Sequence, residues 1–123
     1  MAVNFEEMVA ALAKDGESII RDLTPLKAHL LHAVVGISGE AGELLDAIKK
    51  HVIYNRELDI QNVIEELGDI EFYAEMLRSK LNLTREEIIE ANIKKLSKRY
   101  GNGNYSNQAA IARADKVEDD LPV

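Results

Sequence analysis

Two short segments, 26 positions apart, repeat one pattern of residue types. Glu40-Ala41-Gly42-Glu43-Leu44 and Glu66-Leu67-Gly68-Asp69-Ile70 both read Glu, any residue, Gly, acid, apolar. On a helix, positions three apart lie about 60° apart around the axis, so each acidic pair shares a face. The first glutamate of each segment sits at the edge of an apolar stripe, so antiparallel packing of two such helices would gather Glu40, Glu43, Glu66 and Asp69 at the rim of a core. Converging carboxylates repel one another unless a cation or protons intervene. An oxygen-only donor set with room for water suits Mg²⁺, with Mn²⁺ as a substitute, rather than Zn²⁺. Gly42 and Gly68 sharpen this reading, because a glycine inside a helix costs roughly 1 kcal/mol against alanine. Between acids, a missing side chain leaves room for a ligand or a neighbouring helix. A solvated face explains a single acidic pair well, but a duplicate in matching register with the apolar stripe less well. A di-iron centre needs Glu-x-x-His, whereas Leu26, His29 and Ile48 stand three positions before the three histidines.

Basic and polar groups that suit such a site follow further along. Asn92, Lys95 and Arg99 are spaced i, i+3, i+7 and share one helical face. Two cations and an amide beside a metal cluster are what a polyphosphate requires, the metal taking some oxygens and Lys and Arg the others. The plainer alternative is an exposed basic face near a helix C-terminus, which also fits Lys94 and Lys98 off this face. Along the helix of the first acids, His29, His32, Gly36, Glu40, Glu43 and Lys50 fall in one arc of about 80°. His32 lies two turns before Glu40, a suitable distance for a nucleobase when phosphates sit at the metal. His29 is equally a tolerated surface histidine. Tyr73 shares the arc of Glu66 and Asp69 and is either a further base contact or a half-buried core ring with its hydroxyl satisfied. Asp46 and Glu65 flank the acids, either supporting them or simply solvated.

The elements that must position these residues read as helices almost throughout. Asn4 with Glu7 opens a first helix from about Phe5 to Lys14, which Asp15-Gly16 ends. Thr24-Pro25 supplies an N-cap and a proline at the first helical position of a second, which runs to Tyr54-Asn55. Asp59 caps a third, with Ile60, Val63, Ile64, Leu67, Ile70, Ala74 and Leu77 as its apolar stripe. Thr84 and Glu87 form a capping box for a fourth, ending near Tyr100 with Gly101 as a left-handed C-cap. A loop over Asn102–Asn107, a short helix and a solvated acidic tail follow. No segment alternates with period two. The expectation is an all-α bundle of four main helices: one domain over residues 1–106, its motifs within about 25–106, and a short helix or acidic tail over 107–123. Short connections favour antiparallel neighbours. Helical hairpins of this size bury little, so a homo-oligomer that completes the bundle is expected.

Composition narrows the partners. Among 123 residues, 15 are basic and 22 acidic, a net charge of −7, and aromatics are 5% with no Trp. A phosphate-backbone binder concentrates Lys and Arg on one face, and base-stacking platforms need aromatics, so long nucleic acid is excluded. With no cysteine, disulfides and thiolate metal sites are excluded. The first residues lack the basic and apolar regions of a signal peptide, and the most apolar stretch, Leu30 to Ile37, is far too short to span a bilayer. A cytoplasmic protein with no membrane contact is expected.

Taken together, these residues resemble the MazG-like, all-α nucleoside triphosphate pyrophosphohydrolases. The likeness rests on Gly39-Glu40-Ala41-Gly42-Glu43-Leu44, Glu65-Glu66-Leu67-Gly68-Asp69 and Asn92-x-x-Lys95-Leu96-x-x-Arg99-Tyr100, and covers roughly residues 25 to 106. It implies Mg²⁺-dependent hydrolysis of a ribo- or deoxyribonucleoside triphosphate between the α- and β-phosphates, giving a monophosphate and pyrophosphate. It also implies homodimers or homotetramers with sites near the subunit interface. Glu40, Glu43, Glu66 and Asp69 would then ligate metal, with Glu43 and Glu66 catalytic and Glu43 taking the proton of the attacking water. Lys95 and Arg99 would hold the triphosphate, and Asn92 would stand between metal and substrate. Two alternatives stay open: phosphoribosyl-ATP pyrophosphohydrolase, from a related bundle, and a non-catalytic helical module that binds metal or nucleotide.

Overall fold

In the computed structural model, which describes residues 2–101 and 106–112, the chain is all-helical. Its helices are α1 (Phe5–Leu12), α2 (Gly16–Asp22), α3 (Pro25–Val52), α4 (Ile60–Lys80), α5 (Arg85–Arg99) and α6 (Asn107–Ala112). No strand occurs among the described residues. The four expected helices are α1, α3, α4 and α5, and α6 is the expected short one. Helix α2 is an addition. Asp15 does not close the first helix; its side chain accepts from the Glu17 amide at 3.2 Å and so opens the next one. Most of the Asn102–Asn107 loop and the acidic tail from residue 113 lie outside the described residues.

Local chemistry fixes the helix starts. The Thr24 hydroxyl accepts from the Lys27 amide at 3.2 Å, with Pro25 filling the first turn where its missing N–H is not needed. Asp59 accepts from Asn62 at 3.0 Å and opens α4. At α5 both halves of the box form: the Glu87 amide donates to the Thr84 hydroxyl at 3.1 Å, and the Thr84 amide donates to Glu87 at 3.4 Å.

After α3 and α4 the chain turns at an asparagine rather than a glycine. Asn55 after α3 and Asn82 after α4 take left-handed φ values of 52° and 56°. Asparagine tolerates that region better than most residues. Past Asn82, the Leu83 amide returns to the Arg78 carbonyl at 2.9 Å. At the end of α5, Tyr100 is the cap, its amide donating to the Leu96 carbonyl at 2.8 Å. Gly101 does not adopt the left-handed conformation expected of it, because Tyr100 has already closed the last turn.

The chain divides into two compact units, Met1–Leu77 and Arg78–Val123. In the first unit, α3 and α4 run antiparallel: Gly36 meets Tyr73 while Glu40, four residues later, meets Glu66 and Asp69, earlier on α4. Ala33 and Ala47 are buried, and Leu30, Ile37, Leu44, Val63, Ile70, Ala74 and Leu77 are half-buried. The remainder of each apolar stripe is open. On α3, Val34, Leu45, Ile48 and Val52 are exposed, as are Ile60, Ile64 and Leu67 on α4. In the second unit, α5 packs against α6.

Candidate metal centre and the residues around it

Three of the four acids expected at the rim converge. Ligand oxygens of Glu40, from α3, and of Glu66 and Asp69, from α4, all lie within 4.8 Å of one another, a group able to hold a metal ion. Local geometry accounts for it. Glu66 and Asp69 are one helical turn apart on one face, and the antiparallel neighbour presents Glu40 opposite them. Glu40 and Glu66 are half-buried and Asp69 is exposed.

Glu66 carries the marks of the crowding. Its carboxyl is pushed up to about 7 from 4.5. The largest cause is a hydrogen bond with Glu40, followed by partial withdrawal from water and then the charges of Glu40, Asp69 and Glu43. A hydrogen bond between two carboxyl groups requires a proton on one of them, so at neutral pH the metal-free pair tends to keep one. One oxygen of the same group, Oε2 of Glu66, is buried and has no hydrogen-bond partner. Buried polar atoms are nearly always paired, and an unpaired one is commonly explained by an ion or water. Three carboxylates, a retained proton and an orphaned oxygen fit a hard divalent cation. Bound there, it would replace the proton and satisfy the oxygen.

Glu43 stands outside this trio and is exposed, one turn beyond Glu40, yet close enough for its charge to raise Glu66. Gly42 and Gly68 have no heavy atom within 4 Å of where a Cβ would stand. Among the described residues no neighbouring helix fills those positions, and the space there is open. Asp46 pairs with Lys50 at 3.0 Å on the surface of α3 and supports no member of the trio through that bond.

His32 and Tyr73 meet, with ring centroids 5.9 Å apart and planes tilted by 58°. Tyr73 is half-buried and also meets Phe72 edge-on at 5.2 Å. His29, one turn earlier on α3, is exposed. Asn92, Lys95 and Arg99 share one face of α5 in the second unit; Lys95 and Arg99 are half-buried and Asn92 is exposed. The residue that spacing did not single out is Gly36. It appeared only as one member of the histidine and acid arc, and its partner is the Tyr73 ring.

Residues 29–103 match the MazG nucleotide pyrophosphohydrolase domain. The match takes in α4, α5 and most of α3, well over half of the chain, and includes every acid of the site. This chain therefore belongs to the MazG family, whose members are generally metal-dependent nucleotide pyrophosphohydrolases. No curated protein matches the chain, and no solved structure does. Among the described residues, no helix is long and apolar enough to cross a membrane.

Proposed function

We propose that this protein is a Mg²⁺-dependent nucleoside triphosphate pyrophosphohydrolase. Water adds across the α–β phosphoanhydride, and a nucleoside monophosphate and pyrophosphate leave. The observation that carries the reading is the trio of Glu40, Glu66 and Asp69, joined across two helices around an orphaned, buried glutamate oxygen.

Each residue has a task in this reading. Glu40, Glu66 and Asp69 hold the cation, which when bound neutralises phosphate charge and lowers the pKa of the attacking water. Glu43, exposed beside them, is the carboxylate left to accept the water proton. Lys95 and Arg99 bind phosphate oxygens, arginine doing so with its planar two-donor fork, and Asn92 positions the chain of phosphates. His32 and Tyr73, joined ring to ring, together with His29, form the surface for the base. The exposed apolar residues of α3 and α4 are covered in a homodimer or homotetramer, since a monomer rarely leaves so large an apolar face bare. The protein works in the cytoplasm on small nucleotides.

The test is a panel of ribo- and deoxyribonucleoside triphosphates, with phosphoribosyl-ATP included, incubated with Mg²⁺ and resolved for products. Monophosphate plus pyrophosphate supports the reading and ranks the bases. Turnover confined to phosphoribosyl-ATP replaces it with the relative's activity. Binding of metal and nucleotide with no turnover makes the chain a non-catalytic module.

A further inference from the structure

Gly36 has a role that its residue type alone does not announce. A Cβ built there would fall against Cγ, Cδ1 and Cε1 of the Tyr73 ring, closer than real Cβ contacts come. Cγ lies at the root of the ring, so a small swing of the ring's far end does not clear it. The ring is half-buried, with His32 and Phe72 against it. None of Gly39, Gly42 and Gly68, the other glycines on these two helices, has a neighbour within 4 Å of its Cβ position. Among the described residues, Gly36 alone of these four is a place where two helices need the missing side chain.

The position of that contact matters. Gly36 and Glu40 are four residues apart on α3, and Tyr73 and Asp69 four apart on α4, so along each helix the contact lies one turn, about 6 Å of rise, from an acid of the trio. Because the helices are antiparallel, the contact and the acid trio are successive rungs of one ladder. Adding a methyl at Gly36 must displace either the ring or the helix that bears Glu40. Oxygens gathered within 4.8 Å leave little slack for a small cation that demands near-ideal octahedral geometry.

We infer that Gly36 is a positioning residue for the metal centre: its bare backbone seats the Tyr73 ring and so sets the α3–α4 separation that brings Glu40 to Glu66 and Asp69. The inference rests on the metal reading of the trio given above and assigns the spacing device that holds it.

The test is Mn²⁺ binding to the full-length, metal-free chain, measured by calorimetry alongside thermal melting, for wild type, Gly36→Ala and Gly39→Ala. Gly36→Ala should weaken Mn²⁺ binding by roughly ten- to a hundredfold, the usual effect of disturbing residues that orient metal ligands. Gly39→Ala, which meets nothing, should bind as wild type does. A Gly36→Ala protein that melts lower yet binds Mn²⁺ with wild-type affinity overturns the inference, since a merely structural glycine would behave that way. Should Gly36→Ala not fold, Tyr73→Leu and Gly36→Ala/Tyr73→Leu are compared. With the ring gone, the two should bind Mn²⁺ equally, and a further large loss on adding alanine overturns the role of the ring. A wild-type chain that binds no Mn²⁺ overturns both the metal reading and this one. Mn²⁺ binding without hydrolysis of any triphosphate removes only the proposed reaction and leaves the Gly36 comparison decisive.

Discussion

Glu40 on α3 and Glu66 on α4 meet carboxyl to carboxyl, and the hydrogen bond between them is the main reason the Glu66 group is held near 7 instead of 4.5. A bound cation would take the place of the proton that these two acids share at lower pH.

The first consequence is a pH dependence of the metal-free protein. The folded-state value for Glu66 lies above its unfolded value, so between about 4.5 and 7 the folded chain binds more protons than the unfolded one. This group's contribution therefore favours folding least above pH 7, and its penalty fades as the pH falls towards 4.5. Thermal melts in chelator from pH 5 to 8 should show it as a difference between proteins. Glu66→Gln should gain melting temperature relative to wild type at pH 8 and lose that advantage at pH 5. An equal difference at both values contradicts the shared proton.

Metal should reverse the penalty. A ligand that binds only the folded state adds about 2.7 kcal/mol of stability at a hundred times its dissociation constant. Wild type should therefore melt higher as Mg²⁺ is raised, and more so at pH 8 than at pH 6, because the proton on Glu66 competes with the cation. Glu40→Gln and Glu66→Gln should lose most of this response. Equal responses in wild type and both variants would place the cation elsewhere.

Helix α5, proposed to bind the phosphates, offers a separate check. Thr84→Ala removes the side-chain half of the box at the start of α5 and should cost about 1 kcal/mol. Chemical denaturation reads that cost directly. Mn²⁺ affinity should stay unchanged, since no member of the acid trio lies on α5.

On the same helix, Lys95→Ala and Arg99→Ala should each lower kcat/KM by roughly ten- to a hundredfold, the range expected for losing a hydrogen bond to a charged phosphate. Arg99→Lys should recover only part of the loss, because lysine is a point charge without the two-donor fork. Steady-state kinetics with an accepted triphosphate decides this. Wild-type kcat/KM in both alanine variants would remove α5 from the site.

Signals confined to a few neighbouring residues were readable without a structure. Thr24-Pro25, Asp59 and Thr84 with Glu87 announce helix starts because capping is local chemistry, and all three hold. The acid trio was readable for a related reason: spacing of three fixes a shared face, and repetition in register with the apolar stripe fixes that face towards the neighbour. Asp15-Gly16 misled because the same pair that ends one helix can begin another, and Asp15 spends its side chain on the Glu17 amide. Gly101 misled because the closing bond came from Tyr100. The contact of Gly36 with Tyr73 had no local signature. It depends on the register between two helices, which no spacing within one helix determines. Glu43 shares the arc of Glu40, yet it is exposed and stands outside the trio, acting on Glu66 through its charge.

In the proposed function the carboxylate trio serves hydrolysis of a nucleoside triphosphate. The most direct test is to incubate wild type and Glu66→Gln with triphosphates and Mg²⁺, and to follow monophosphate and pyrophosphate together. Wild type should form the two products in equal amounts, and a folded Glu66→Gln should form neither. Equal turnover by the two proteins, or release of a diphosphate with inorganic phosphate, would contradict it.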